Sequence, residues 1–289
     1  MTDPLAPERL VPPTPGQLRR LMGAERLRPR KSLSQSFLTD PEALDTIVSA
    51  AELAPGDRVV EVGPGLGVLT RRLLAAGASV VAVELDARLS GYLRRELGGI
   101  EAFELVEADA LSLHPRDLMA EGPFKVVANI PYHITSPLLH AFLEGDRPPE
   151  LTVLLVQLEV AERVASPPGG MSYLSVFAQN VADAEVVARV PAAAFEPEPE
   201  VDSAVLRLRH RPNPTVPPGP EREPFYRVVQ AGFRQRRKQV HNGLTRELPV
   251  DRGVVESALA GCGVTPDRRP QTLTVEEWAC LTRALAPAL

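Results

Sequence analysis

Phe124-Lys125-Val126-Val127-Ala128-Asn129-Ile130-Pro131-Tyr132 is the stretch from which the rest of the chain is read outward. Its apolar, partly β-branched run Val126-Val127-Ala128 has the character of a buried strand. The strand must end at Asn129, because Pro131 cannot donate a ladder hydrogen bond and forces Ile130 toward an extended shape. The chain therefore leaves a sheet in a stiff turn that offers one amide side chain, free carbonyls and a phenol ring. Those groups can hold a planar base by its exocyclic amine. The Asn129 oxygen and a neighbouring carbonyl accept the two amine protons, and Tyr132 covers the ring face. Stacking of a base on an aromatic side chain is worth about 1–3 kcal/mol. The four residues fit an ordinary Asn-Pro turn equally well, so the surrounding pattern decides.

On both sides of this stretch, short strand-like runs alternate with helical patterns. Residues 58–62, 79–83, 103–106, 125–128 and 151–156 read as strands with helices between them. That alternation predicts βαβ units and a parallel sheet covered by helices on both faces. Residues 184–190 and 203–208 read as two more strands, expected to close the sheet as a hairpin. Asp40 ahead of Pro41 marks a helix start. The Pro-rich run at 211–220 is the clearest linker. Beyond it lies only helical periodicity, at 224–248, 254–262 and 275–285, with Thr274 and Glu277 spaced as a capping box. The expected organisation is a flexible N-terminal arm over 1–30 with room for one short helix from Gln17-Leu18-Arg19-Arg20-Leu21, a sheet domain over 31–211 and a small all-α domain over 215–289. No internal repeat is evident.

Composition sets bounds. The hydrophobic fraction of 44% suits a globular core. No apolar run reaches the roughly 18 residues of a membrane span, and the N-terminus lacks a secretory pattern. A cytoplasmic, monomeric protein without membrane contact is expected. Cys262 and Cys280 have no metal-ligand spacing and read as separate buried thiols, and no metal site is expected. The net charge of −5 argues against general nucleic-acid affinity. Basic residues nevertheless cluster at Arg234, Arg236, Arg237 and Lys238, on what reads as one long helix. Such a run is a solvated face or a phosphate-contacting one.

Glu61-Val62-Gly63-Pro64-Gly65-Leu66-Gly67 follows the first of these strands and opens a helix. Glycines there let a ligand approach the backbone at the carboxyl edge of a parallel sheet. Glu84, at the end of the next strand, can accept hydrogen bonds from ribose hydroxyls. Asp109, with Ala110 beside it, ends the third strand and can bind an adenine amine. Glu61 is either part of this site or a buried strand residue bonded to the glycine loop. Three consecutive strand ends thus carry Gly, Glu and Asp, and the fourth carries Asn129. A dinucleotide enzyme shares the first two features and needs neither of the others.

With these motifs in place, the chain resembles the small-subunit ribosomal RNA adenine dimethyltransferases across roughly residues 28–280. The resemblance rests on Gln35-Ser36-Phe37-Leu38, the glycine loop, Glu84-Leu85-Asp86, Asp109-Ala110 and Asn129-Ile130-Pro131-Tyr132. It continues through Phe195-Glu196-Pro197-Glu198-Pro199, Val201-Asp202-Ser203-Ala204-Val205, Gln235-Arg236-Arg237-Lys238 and Asn242-Gly243-Leu244. It implies a Rossmann-like, doubly wound α/β fold: a mostly parallel seven-stranded methyltransferase sheet with a small C-terminal helical domain that binds RNA.

The resemblance also implies S-adenosylmethionine as methyl donor. Gln35, Ser36, Leu38, Glu61, Gly63, Gly65, Gly67, Glu84, Leu85, Asp109, Ala110 and Asn129 would line the donor site. Asn129, Pro131, Tyr132 and Phe195 would hold the target adenine, with Phe195 otherwise a core anchor. Arg234, Arg236, Arg237 and Lys238 would contact rRNA in a pre-30S particle. The family's usual Asn is Ser36 here, its Phe-Gly is Leu33-Ser34, and its frequent Lys near Leu158 is missing. The first two departures predict a looser N-terminal wall, and the third removes one RNA contact. Alternatives are a methyltransferase of another RNA adenine, a ribosome-assembly factor that has lost catalysis and, less well supported, a nicotinamide dehydrogenase.

Overall fold

The computed structural model describes residues 7–24, 36–119, 121–144 and 147–289. Gln35, Leu33 and Ser34 lie outside the described residues. The chain divides into two compact units: Met1–Ala161 with Glu185–His210, and Glu162–Ala184 with Arg211–Leu289.

The first unit begins with two helices, α1 (Pro7–Leu10) and α2 (Pro15–Ala24). α2 is the short helix expected within the N-terminal arm. Leu18 is buried in the main apolar core. Arg9 donates to the Glu96 carbonyl, and Arg71 donates to the Arg9 carbonyl at 3.1 Å. Leu21 and Met22 pack beside Leu18, so α2 sets an apolar side against that core.

A short strand β1 (Phe37–Leu38) precedes α3 (Pro41–Ala50). Asp40 caps α3, its carboxylate accepting the amides of Glu42 and Ala43. That side chain satisfies two of the orphan donors of the first turn. There follow β2 (Arg58–Val62), α4 (Val68–Ala75), β3 (Ser79–Glu84), α5 (Ala87–Leu97), β4 (Phe103–Glu107), α6 (Pro115–Leu118), β5 (Lys125–Asn129), α7 (Thr135–Leu143), β6 (Leu151–Gln157) and α8 (Leu158–Val164). After α9 (Tyr173–Val181) come β7 (Ala182–Val190), β8 (Phe195–Glu196) and β9 (Ser203–His210).

Seven strands form one sheet in the order β4-β3-β2-β5-β6-β9-β7. β2, β3, β4, β5 and β6 pair in parallel, and β9 runs antiparallel to β6 from Leu151↔Arg209 to Gln157↔Ser203. β7 lies beside β9 at the edge, so the two late strands are neighbours as the sequence suggests. β1 and β8 make a separate two-stranded ribbon.

Strand order reverses between β2 and β5, which opens a crevice at their carboxyl ends. At the opposite end β5 is anchored by Lys125, whose buried ammonium reaches the Glu52 carbonyl at 2.6 Å and Asp57 Oδ2 at 2.8 Å. Val126, Val127 and Ala128 are fully buried, so burial on both faces fixes the strand whose far end delivers Asn129.

The second unit gathers α9 with α10 (Arg222–Arg234), α11 (Val240–Glu247), α12 (Arg252–Gly261) and α13 (Val275–Leu285) around Phe225, Val229, Leu244 and Trp278. Residues 162–184, which precede the linker, pack with these helices because Met171 and Val176 belong to the same apolar cluster. The expected single helix over 224–248 is two, broken at Gln235. A Cβ at Gly243 would stand 3.3 Å from the Gly232 carbonyl oxygen. α11 therefore folds back onto α10 at a glycine-mediated close approach, which a continuous helix would forbid. Cys262 and Cys280 are likewise not separate thiols but form a disulfide with Cα atoms 5.9 Å apart. A spacing of 18 residues in sequence gives no hint that the end of α12 meets the middle of α13. No helix among the described residues is long and apolar enough to cross a membrane.

Candidate functional site

At the carboxyl ends of β2, β3, β4 and β5 lies a cavity of about 320 Å³. Its floor is the glycine loop. Gly63, Gly65 and Gly67 have φ of 68°, 60° and 71°, a region costly for residues with a Cβ. At Gly65 the loop also passes under Phe37, where a Cβ would lie 3.0 Å from the ring. Gly63 borders the cavity with Asn129 and Pro131 opposite, its absent Cβ 3.8 Å from the Pro131 ring. Gly67 does not line the cavity. It caps α4 and faces Leu93 and Arg71, each within 2.9 Å of where a Cβ would stand.

Glu84 ends β3 almost fully buried. One carboxylate oxygen accepts the Gly65 amide at 3.1 Å and the other accepts the Asp86 amide at 2.8 Å. The residue thus locks the glycine loop to the next strand while each oxygen keeps a second lone pair. Burial raises its pKa, the two amide bonds oppose the rise, and Asp86 adds to it. Asp109 is exposed at the end of β4, with Oδ1 accepting the Leu111 amide at 2.9 Å. Leu85 and Leu111 remain exposed beside these acids, as apolar walls of the same cavity.

Glu61 is buried within β2 and lines the cavity. Burial is the main cause of a pKa pushed up to about 8, Thr70 offsets part of it, and the charge of Glu84 adds to it. Oε2 of Glu61 lacks a hydrogen-bond partner among the described residues.

Across the cavity, the Asn129 amide nitrogen donates to the Ser36 carbonyl at 3.4 Å. With the nitrogen so oriented, Oδ1 is the acceptor left for a ligand. Pro131 has φ −57° and ψ 132° and leads into a single 3₁₀ turn, Tyr132–Ile134. The Tyr132 carbonyl accepts the Thr135 hydroxyl at 3.0 Å, and the Tyr132 hydroxyl meets Ser203 Oγ at 2.8 Å. Burial raises the Tyr132 pKa, the Ser203 bond works against the rise, and Asp202 adds to it. The phenol is therefore neutral at ordinary pH.

Phe195 lines the cavity from the ribbon, paired with Leu38, and is also buried in the main core. Both roles foreseen for it are thus open to one side chain.

Of the residues singled out in sequence, Ser36, Leu38, Glu61, Gly63, Gly65, Glu84, Leu85, Asp109, Ala110, Asn129, Pro131, Tyr132 and Phe195 line this one cavity. Phe37, Leu111 and Ile134 line it too and were not singled out. Leu111 lies two residues past Asp109, in the 3₁₀ turn that Asp109 caps. The basic cluster lies in the second unit. Arg234 ends α10 and pairs with Glu247 at 3.1 Å. Arg236, Arg237 and Lys238 sit on the turn between α10 and α11, exposed, rather than on a helix. His241, which shares this corner, faces the Pro266 carbonyl through Nδ1 at 2.9 Å.

A parallel sheet that reverses at β2, with acids at successive strand ends beyond a glycine loop and an Asn-Ile-Pro-Tyr turn opposite, defines a Rossmann-like methyltransferase. Comparison with known proteins narrows the class. A family model described as ribosomal RNA adenine dimethylase matches residues 26–286. The chain belongs to that family.

Among its relatives, a ribosomal RNA small subunit methyltransferase A of Moorella thermoacetica is 44% identical over 94% of this chain and 98% of that protein. One from Anaeromyxobacter sp. (strain K) is 45% identical over 92% and 97%. Of solved structures, the 23S rRNA methyltransferase ErmE is 34% identical, with a TM-score of 0.69 over 86% of this chain and 99% of its own. A dimethyladenosine transferase from Plasmodium falciparum shares the fold at a TM-score of 0.73, covering 87% of this chain and 98% of its own at 23% identity.

Proposed function

We propose that this protein dimethylates the exocyclic N6 amines of two adjacent adenines near the 3′ end of small-subunit rRNA, during maturation of that subunit. The observation that carries the reading is the side-chain oxygen of Asn129, without a hydrogen-bond partner among the described residues, in a cavity that Glu84 and Asp109 also line. The residues present suit S-adenosylmethionine. Glu84 keeps acceptor lone pairs for ribose hydroxyls, Asp109 Oδ2 suits an adenine amine, and Leu85 and Leu111 flank a flat ring. Bound there, the donor supplies an electrophilic sulfonium methyl.

The chain's own residues then act on the target base. Its amine is a poor nucleophile while the lone pair is delocalised into the ring. Asn129 Oδ1 and a main-chain carbonyl of the turn accept the two amine protons, draw the nitrogen toward tetrahedral geometry and stabilise the positive charge that develops. No strong base is needed, since the nitrogen becomes acidic only after alkylation. A base that enters must leave its stack, and Tyr132, with Phe195 beyond it, replaces that stacking. Arg236, Arg237 and Lys238 contact phosphates, which orients the RNA without reading its sequence.

Action as a monomer in the cytoplasm on a pre-30S particle completes the proposal. A second reading, methylation of large-subunit rRNA, draws on the ErmE likeness at 34% identity. The relatives at 44% and 45%, with names that specify the small subunit, weigh more. Purified wild-type protein and Asn129→Ala, each supplied with donor and either small or large subunits, test both points. Dimethyladenine should form on small subunits only, and Asn129→Ala should lose about 2.7–4 kcal/mol of transition-state stabilisation, as loss of one preorganised polar contact does elsewhere. Wild-type turnover by Asn129→Ala rejects the amine-holding role, and product on large subunits favours the second reading.

A further inference from the structure

The Val201-Asp202-Ser203-Ala204-Val205 motif enters the sequence comparison without any task of its own. In the structure it begins β9, and its serine is fully buried at the β6 edge, opposite Gln157. The approach to that serine is pinned on both sides. The Asp202 carbonyl accepts the Leu158 amide at 3.0 Å, and Asp202 Oδ1 accepts the Ala192 amide at 2.9 Å. Ser203 Oγ then meets the Tyr132 hydroxyl at 2.8 Å. At the main chain of the same residue, the Tyr132 carbonyl accepts the Thr135 hydroxyl at 3.0 Å where α7 starts. The ring is attached at its root by the turn and at its tip by Ser203. Ser203 itself does not line the cavity.

We propose that Ser203 is a positioning residue: through the Tyr132 hydroxyl it fixes the plane of the ring on which the target adenine lies. The proposal rests on the reading of Tyr132 as the base-stacking face. A ring tethered at one end must be ordered in each turnover, at a cost typical of one immobilised side chain. Small misplacement of a reacting group is expensive in rate. The hydrogen bond itself commits the phenol oxygen to the protein, so the hydroxyl makes its contribution by orientation.

The test compares Ser203→Ala, Ser203→Thr, Tyr132→Phe, Tyr132→Ala and the Ser203→Ala/Tyr132→Phe double variant. Turnover on small-subunit particles, donor dissociation constant and melting temperature are measured for each. Ser203→Ala should lower kcat about tenfold while donor affinity stays within about twofold. Ser203→Thr, which restores a hydroxyl, should recover most of the rate. Tyr132→Phe keeps the ring and releases its tip, so it should match Ser203→Ala, and the double variant should be no slower than either alone.

Wild-type kcat in Tyr132→Phe overturns the proposal even if Ser203→Ala fails to fold. So do additive losses in the double variant, or a loss in Ser203→Ala that is matched by weaker donor binding. Wild-type kcat in Tyr132→Ala instead removes the stacking reading beneath it, a separate failure.

Discussion

Glu61 shows how a single buried acid couples the site to the stability of the domain. Its native pKa of about 8 stands well above its ordinary value of 4.5. Between those values the folded protein keeps a proton that the unfolded chain has released. Stability contributed at this position is therefore fully present below pH 4.5, falls as pH rises, and levels off above pH 8. At about 1.4 kcal/mol per pH unit the window amounts to several kcal/mol. Glu61→Gln keeps the shape and carries no charge, so it should remove this slope. Thermal melts of donor-free protein should find the variant close to wild type at pH 5 and clearly more stable at pH 8.5. A difference independent of pH means that Glu61 is not neutral in the native cavity.

Elements were legible in sequence where periodicity had a single cause. β5 was visible because Val126-Val127-Ala128 is apolar on both faces, and its end was visible because Pro131 cannot stay in a ladder. The cavity wall was legible for the same reason: residues at carboxyl strand ends in a parallel sheet converge whatever lies between them. Helix breaks made by contact were not legible. Residues 224–248 keep a helical period throughout, and only the approach of α11 to α10 at Gly232 and Gly243 turns the chain at Gln235. Gly232 also faces α13. The space beside Gly232 is filled by the Trp278 ring, against which a Cβ would collide. Trp278 is fully buried and cannot yield without opening the helical core. Gly232→Ala should cost about 1–3 kcal/mol by overpacking, seen as a lower denaturation midpoint with an unchanged m value. No loss would mean that α13, which carries Trp278, gives way freely beside α10 at this point.

Across the whole molecule, a net charge of −5 opposes binding to a polyanion. The distribution of the charges resolves the conflict. Many arginines are neutralised within the fold: Arg207 and Arg209 share Glu52, Arg94 pairs with Glu107, and Arg268 with Glu277. Even Arg234, counted in sequence with the basic cluster, is held by Glu247, whose carboxyl pKa it lowers. Arg236, Arg237 and Lys238 are exposed and make no ion pair among the described residues. That turn therefore offers three uncommitted cations to phosphate. Each cation that neutralises a phosphate releases condensed counterions, so affinity falls with salt in proportion to the number of such contacts. Replacing Arg236, Arg237 and Lys238 with glutamine should weaken rRNA binding and reduce the slope of log K against log salt by about 2–3. Arg234→Gln alone should change the slope little, because that charge is already engaged. A triple variant with the wild-type slope would leave the turn as mere solvated surface and move the RNA contacts elsewhere on the chain.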